Sequence, residues 1–86
     1  MGNLAAMQGT LQRTLDQVPA GAAIVAAGTS SDPVVARRLA ALGWRPGERV
    51  RVVQKASGGA VVVELHRGRI ALSRMVVRQL PVKVAE

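Results

Sequence analysis

Leu39-Ala40-Ala41-Leu42-Gly43-Trp44-Arg45-Pro46-Gly47-Glu48-Arg49-Val50-Arg51-Val52 is the stretch whose reading decides the fold. Its period changes at the centre. Leu39 and Leu42 sit at helical spacing and close a helix, and Gly43 is the residue expected at a left-handed helix C-terminus. Arg45-Pro46-Gly47-Glu48 is a tight turn, with Pro setting φ and Gly supplying a positive φ. From Arg49 the period drops to two: Val50 and Val52 face one way, Arg49, Arg51 and Lys55 the other. A helix therefore hands over directly to a half-buried strand predicted over Arg49 to Lys55.

Upstream, Asp32-Pro33 reads as a helix start, with Asp as N-cap and Pro at a position that needs no amide donor. This predicts a helix from Pro33 to Leu42 with Val35, Leu39 and Leu42 as its buried stripe. Pro19-Ala20-Gly21 signals a turn, and Ala22 to Ala27 an apolar strand. Downstream, Ser57-Gly58-Gly59 closes a hairpin onto a strand from Ala60 to Leu65. His66-Arg67-Gly68 is a second reversal, followed by a short strand from Arg69 to Leu72. Ser73 to Val77 suits one helical turn. Leu80, Val82 and Val84 alternate with polar neighbours as a last strand, which Pro81 places at an edge or near its own end. About five short strands and one helix are too few for an ordinary two-sheet sandwich. A mainly β, strongly bent, partly open small barrel with one inserted helix is the economical arrangement.

The chain of 86 residues allows one small domain. Residues 15–84 form it, and residues 1–14 are an extension. Leu4, Met7, Leu11, Leu15 and Val18 recur at near-heptad spacing, suiting a helical or partner-binding arm, while Gly9 and Thr10 favour a frayed, flexible segment. No cysteine is present and only one histidine, which excludes disulfides, thiol chemistry and an ordinary zinc site. Met1 to Leu15 lacks the basic start and apolar centre of a secretory signal, so the expected compartment is the cytoplasm.

Charge is the strongest compositional signal. Twelve Lys and Arg against five Asp and Glu give +7. Such a surface attracts nucleic acid, an anionic membrane surface or an acidic protein face. Trp44 is the sole aromatic residue, so bases cannot be held by serial stacking. A nucleic-acid-binding small basic barrel is therefore the alternative reading, not the first one.

The run from Leu39 to Val52 resembles the signature of the FeoA family of ferrous iron transport accessory proteins. That signature is a helix ending in Leu-Gly, an apolar residue, a variable residue, Pro-Gly, then a strand of alternating Val. Leu15-x-x-Val18-x-x-Gly21 resembles the family's opening segment. Gly58-Gly59, Val61 to Leu65, Leu72, Leu80 and Val82 resemble its hairpin and closing strand. The resemblance implies an SH3-like barrel with an inserted helix. It implies a cytoplasmic accessory role beside FeoB, the membrane ferrous-iron transporter with a GTP-binding domain, at the inner face of the plasma membrane. No cofactor is expected. Similar domains close metal-dependent repressors.

The candidate partner-binding residues are Trp44, Arg49, Arg51, Met75 and Val76. Trp44 is either an interface anchor or a lid over a small core, the latter favoured because the core has few other large side chains. Arg49 and Arg51, with Lys55 further along, make a basic ribbon able to face lipid headgroups or an acidic domain. Met75, Val76 and Val77, with Val62, form either an exposed apolar patch or packing against the helix or extension. Glu64, His66 and Asp32 offer ligand types suited to ferrous iron, but nothing completes a set, so no metal site is expected. No nucleophile–base set, phosphate-binding loop or dinucleotide fingerprint occurs, and no enzymatic activity is expected. An edge strand beside Val82 and Val84, or the extension, offers a route to homo-oligomers.

Overall fold

The computed structural model describes residues 12–66 and 68–85. Six strands form one antiparallel sheet: β1 Gln12–Thr14, β2 Ala23–Ala26, β3 Arg49–Lys55, β4 Val61–Leu65, β5 Gly68–Leu72 and β6 Pro81–Val84. Their order across the sheet is β1-β6-β2-β3-β4-β5. Helix α1 spans Pro33–Leu42 and the single turn α2 spans Arg74–Val77. The five expected strands are present, and β1 adds a sixth by pairing Gln12 with Lys83, Arg13 with Val82 and Thr14 with Pro81. Leu4, Met7 and Leu11 lie outside the described residues.

Strand β3 is the axis of the sheet. Its first half pairs with β2 (Ala23 opposite Arg51, Val25 opposite Arg49), and it pairs with β4 along most of its length. Alternation along it buries Val50 and Val52 and exposes Arg49 and Arg51. A bulge between Val52 and Gln54 then shifts the register, so that Gln54 opposes Val62 and Lys55 opposes Val61. An extra residue inverts the sidedness of everything beyond it. Lys55 thus leaves the face of Arg49 and Arg51, where simple alternation would keep it. It pairs across from buried Val61, and its Nζ donates to the Asp16 carbonyl at 2.9 Å.

One core collects the inward side chains: Leu15 and Val18 from a 3-10 turn and its end, Ile24 and Ala26 from β2, Val61, Val63 and Leu65 from β4, and Val77, Leu80 and Val82 from the closing segment. β6 lies inside the sheet, between β1 and β2, so it is no free edge for pairing between chains. Pro81 is its first residue, as a ladder strand tolerates.

Helix α1 begins and ends where its local chemistry dictates. Asp32 Oδ1 accepts the Val34 amide at 2.9 Å, and Pro33 opens the first turn. At the other end Gly43 adopts φ 110°, its amide donates to the Ala40 carbonyl, and the Trp44 amide donates to the Leu39 carbonyl at 2.8 Å. These two bonds are the Schellman closure, with Leu39 and Trp44 supplying its hydrophobic contact positions. Of the expected stripe, Leu39 is buried and Val35 packs against the core, but Leu42 is 47% exposed. The Schellman turn carries Trp44 into the core at that end of the helix, and Leu42 is left at the surface.

Only glycine adopts φ near 110° without strain. Gly43→Ala should therefore lower stability by about 1 kcal/mol or more, shifting the melting temperature down by roughly 4–8 °C. Thermal unfolding followed by circular dichroism measures this, and an unchanged midpoint would contradict the capping account.

Candidate protein-docking site

The five candidate residues fall into three places. Trp44 is 1% exposed and is among the largest fully buried side chains. Its indole Nε1 donates to the Gly28 carbonyl at 2.8 Å, satisfying the polar edge of an otherwise apolar ring. The loop that carries Gly28 is itself held: Ser30 Oγ donates to Gln79 Oε1 at 3.2 Å and accepts the Asp32 amide at 3.1 Å. A Cβ at Gly28 would lie 2.7 Å from Pro81 Cγ, so this loop also packs directly on β6. Trp44 offers a partner almost no surface; it fastens the helix, the loop at Gly28 and the core together.

Met75 and Val76 separate. Ser73 caps α2, its Oγ accepting the Val76 amide at 3.4 Å. The turn directs Val77 into the core and leaves Val76 half-buried against it, while Met75 is 73% exposed. Met75 lines a shallow hollow with Arg78 and Gln79.

Arg49 and Arg51 come together on the outer face of the sheet with Glu64, which the register sets opposite Arg51, and with His66. They line an open groove of about 580 Å³. Glu64 Oε2 meets Arg69 Nε at 3.5 Å, both side chains well exposed. An ion pair of that kind contributes at most about 1 kcal/mol. Neither Arg49 nor Arg51 has an ion-pair partner among the described residues. Alternation along β3 foretold the two arginines. Ala23 and Ala85, which line the same groove, carried no signal in the sequence, because small residues become informative only once the register places them side by side.

Asp32 caps α1, Glu64 pairs with Arg69, and His66 lines the groove. Among the described residues no three His, Cys, Asp or Glu side chains are grouped to hold a metal ion. No described helix is long and apolar enough to cross a membrane. Arg67 lies outside the described residues.

A six-stranded antiparallel sheet with one main helix defines a small SH3-like domain. The chain belongs to the FeoA domain family, which matches residues 13–84. Solved structures agree. A FeoA protein from Chlorobium tepidum superposes with a TM-score of 0.79 at 23% identity, covering 86% of this chain and 71% of that one. Stenotrophomonas maltophilia FeoA complexed with zinc superposes with a TM-score of 0.70 at 29% identity, covering 83% and 89%. It is described as a prokaryotic SH3 domain protein and a candidate bacterial ferrous iron transport activating factor. A manganese-dependent transcriptional repressor in complex with manganese superposes at 0.77 with 23% identity, covering 86% of this chain but 37% of the repressor. No curated protein matches the sequence.

Replacing Trp44 tests its structural role. Trp44→Phe keeps part of the volume but removes the donor to the Gly28 carbonyl, at an expected cost of about 1–3 kcal/mol. Trp44→Ala should cost about 3–5 kcal/mol, enough to unfold much of a domain of this size. Chemical denaturation measures both. Equal, small losses would place the ring at the surface instead.

Proposed function

We propose that this protein is a non-enzymatic accessory protein of ferrous iron uptake that acts in the cytoplasm, at the inner face of the plasma membrane. It binds the FeoB GTPase transporter and modulates its assembly or GTP cycle. The observation that carries this reading is membership of the FeoA domain family across residues 13–84. The description of the S. maltophilia relative as a candidate transport activating factor supports it.

The mechanism is binding, not chemistry. A small domain built around one core presents its outer surface to a partner. The arginines of β3 supply charge complementarity, which governs encounter rate and orientation more than final affinity. Met75, exposed on α2, supplies a flexible apolar contact, with Val76 beside it. The sheet from β1 to β6 carries this function, so Gln12–Thr14, expected from the sequence to lie in the extension, belong to the functional domain.

Capture from membrane extract with the purified protein as bait, at low and high salt, tests the proposal. Recovery of a ferrous-iron transporter at both salts is expected. Arg49→Gln/Arg51→Gln should reduce recovery chiefly at low salt, because exposed charges are screened within about 10 Å at 0.1 M salt. Met75→Ser should reduce it at both. Recovery of nucleic acid alone, lost at high salt by counterion release, would overturn the proposal and favour a nucleic-acid-binding barrel.

A further inference from the structure

The groove on the outer face of β2, β3 and β4 has the chemistry of a carboxylate receptor. Two arginines two residues apart on β3 stand on one face, a separation of about 6.6–6.8 Å along an extended strand. Arg51 sits in a cross-strand row that reads Ala23, Arg51, Glu64, Arg69, and Arg49 lies opposite Val25 in the next row. The Ala85 amide bonds to the Ala23 carbonyl, so two alanines lie side by side where long side chains would fill the trough. At the β5 end Gly68 leaves open space, with no atom within 4 Å of a Cβ placed there. The depression thus arises from small residues flanking long ones, and it reaches down to the edges of Val50 and Leu65.

Its charge is one-sided. Among the described residues Glu64 is the one carboxylate that lines the groove, and Arg69 engages it from the β5 side. Arg49 and Arg51 keep their guanidinium groups uncommitted among the described residues. A guanidinium binds carboxylate in a planar, bidentate fork. Arg49 and Arg51 follow one another along β3, so an extended ligand aligned with that strand meets both. An extended peptide with acidic residues at every second position matches the repeat, because its carboxylates share the spacing of Arg49 and Arg51.

We propose that this groove receives an extended acidic segment of a partner protein, with Arg49 and Arg51 each engaging one of two carboxylates at alternate positions. The identity of that partner as a transporter rests on the function proposed above; the recognition chemistry does not.

The test uses the full chain and three probes: a fluorescently labelled decapeptide with glutamate at every second position, the same peptide with glutamine, and phosphatidylglycerol vesicles. Anisotropy should show binding of the glutamate peptide and none of the glutamine peptide. Arg49→Gln/Arg51→Gln should weaken binding about tenfold. Arg37→Gln/Arg38→Gln, which removes the same charge from exposed positions on α1, should change it by less than about twofold. Glu64→Gln should tighten binding, a gain that misfolding cannot imitate. Amide shifts on peptide addition should cluster at Ala23, Arg49 to Arg51, Glu64 to His66, Gly68 and Ala85. Equal losses from both arginine pairs would show attraction by net charge and overturn the proposal. So would an unchanged Glu64→Gln variant, or vesicles held through Arg49 and Arg51 with no peptide binding. Peptide binding without transporter capture would sink the iron-uptake reading and leave the groove standing; capture without peptide binding would do the reverse.

Discussion

The hydrogen bond from Trp44 Nε1 to the Gly28 carbonyl, made by a ring that is 1% exposed, is the point on which this structure turns. The core is otherwise built of aliphatic side chains, most of them valine, leucine and alanine. In a domain of this size few side chains are large enough to bridge a helix to a sheet. Trp44 does so because the Schellman closure at Gly43 turns the chain inward at the residue that follows. The loop held by the indole is fixed again through Ser30 and Gln79, near the end of α2. Helix, loop, α2 and β6 are therefore linked through one aromatic side chain and a few hydrogen bonds, not through a broad helix–sheet interface.

The two faces of β3 carry out different tasks. Inward, Val50 and Val52 join the core; outward, Arg49 and Arg51 face water. The bulge before Gln54 ends this arrangement and sends Lys55 to the 3-10 turn after β1, where it binds the Asp16 carbonyl. The same irregularity also limits the length of the basic ribbon. Charge is thereby concentrated where Ala23, Gly68 and Ala85 leave a depression. Stability and recognition are divided between opposite sides of one strand. Substitutions on the outer face can change binding with little effect on folding, because exposed side chains away from special contacts contribute little to stability.

Much of the fold was legible in the sequence because its cues are local. Asp32-Pro33 and Gly43 set the ends of α1 through hydrogen bonds within a few residues. Val50 to Val52 and Val61 to Leu65 declared strands through period two. The candidate site was legible in part. Arg49 and Arg51 emerged from alternation, whereas Met75, Val76 and Val77 form a run whose members point in different directions once α2 forms. Leu42 completed a helical stripe yet lies at the surface, because Trp44 enters the core at the end of α1.

The sequence by itself determined five of the six strands, the ends of α1, the inward faces of β4 and of β3 as far as Val52, and the motif that marks the family. Each of these follows from short-range sterics, capping or periodicity. Tertiary structure alone decided that β1 pairs with β6, that a bulge parts Lys55 from the arginines, that Trp44 is enclosed, and that Ala23 and Ala85 meet beside Arg51. These are matters of register and packing between segments distant in the chain. Cross-strand neighbours are chosen by the whole core at once, and no local pattern records which residues will stand side by side.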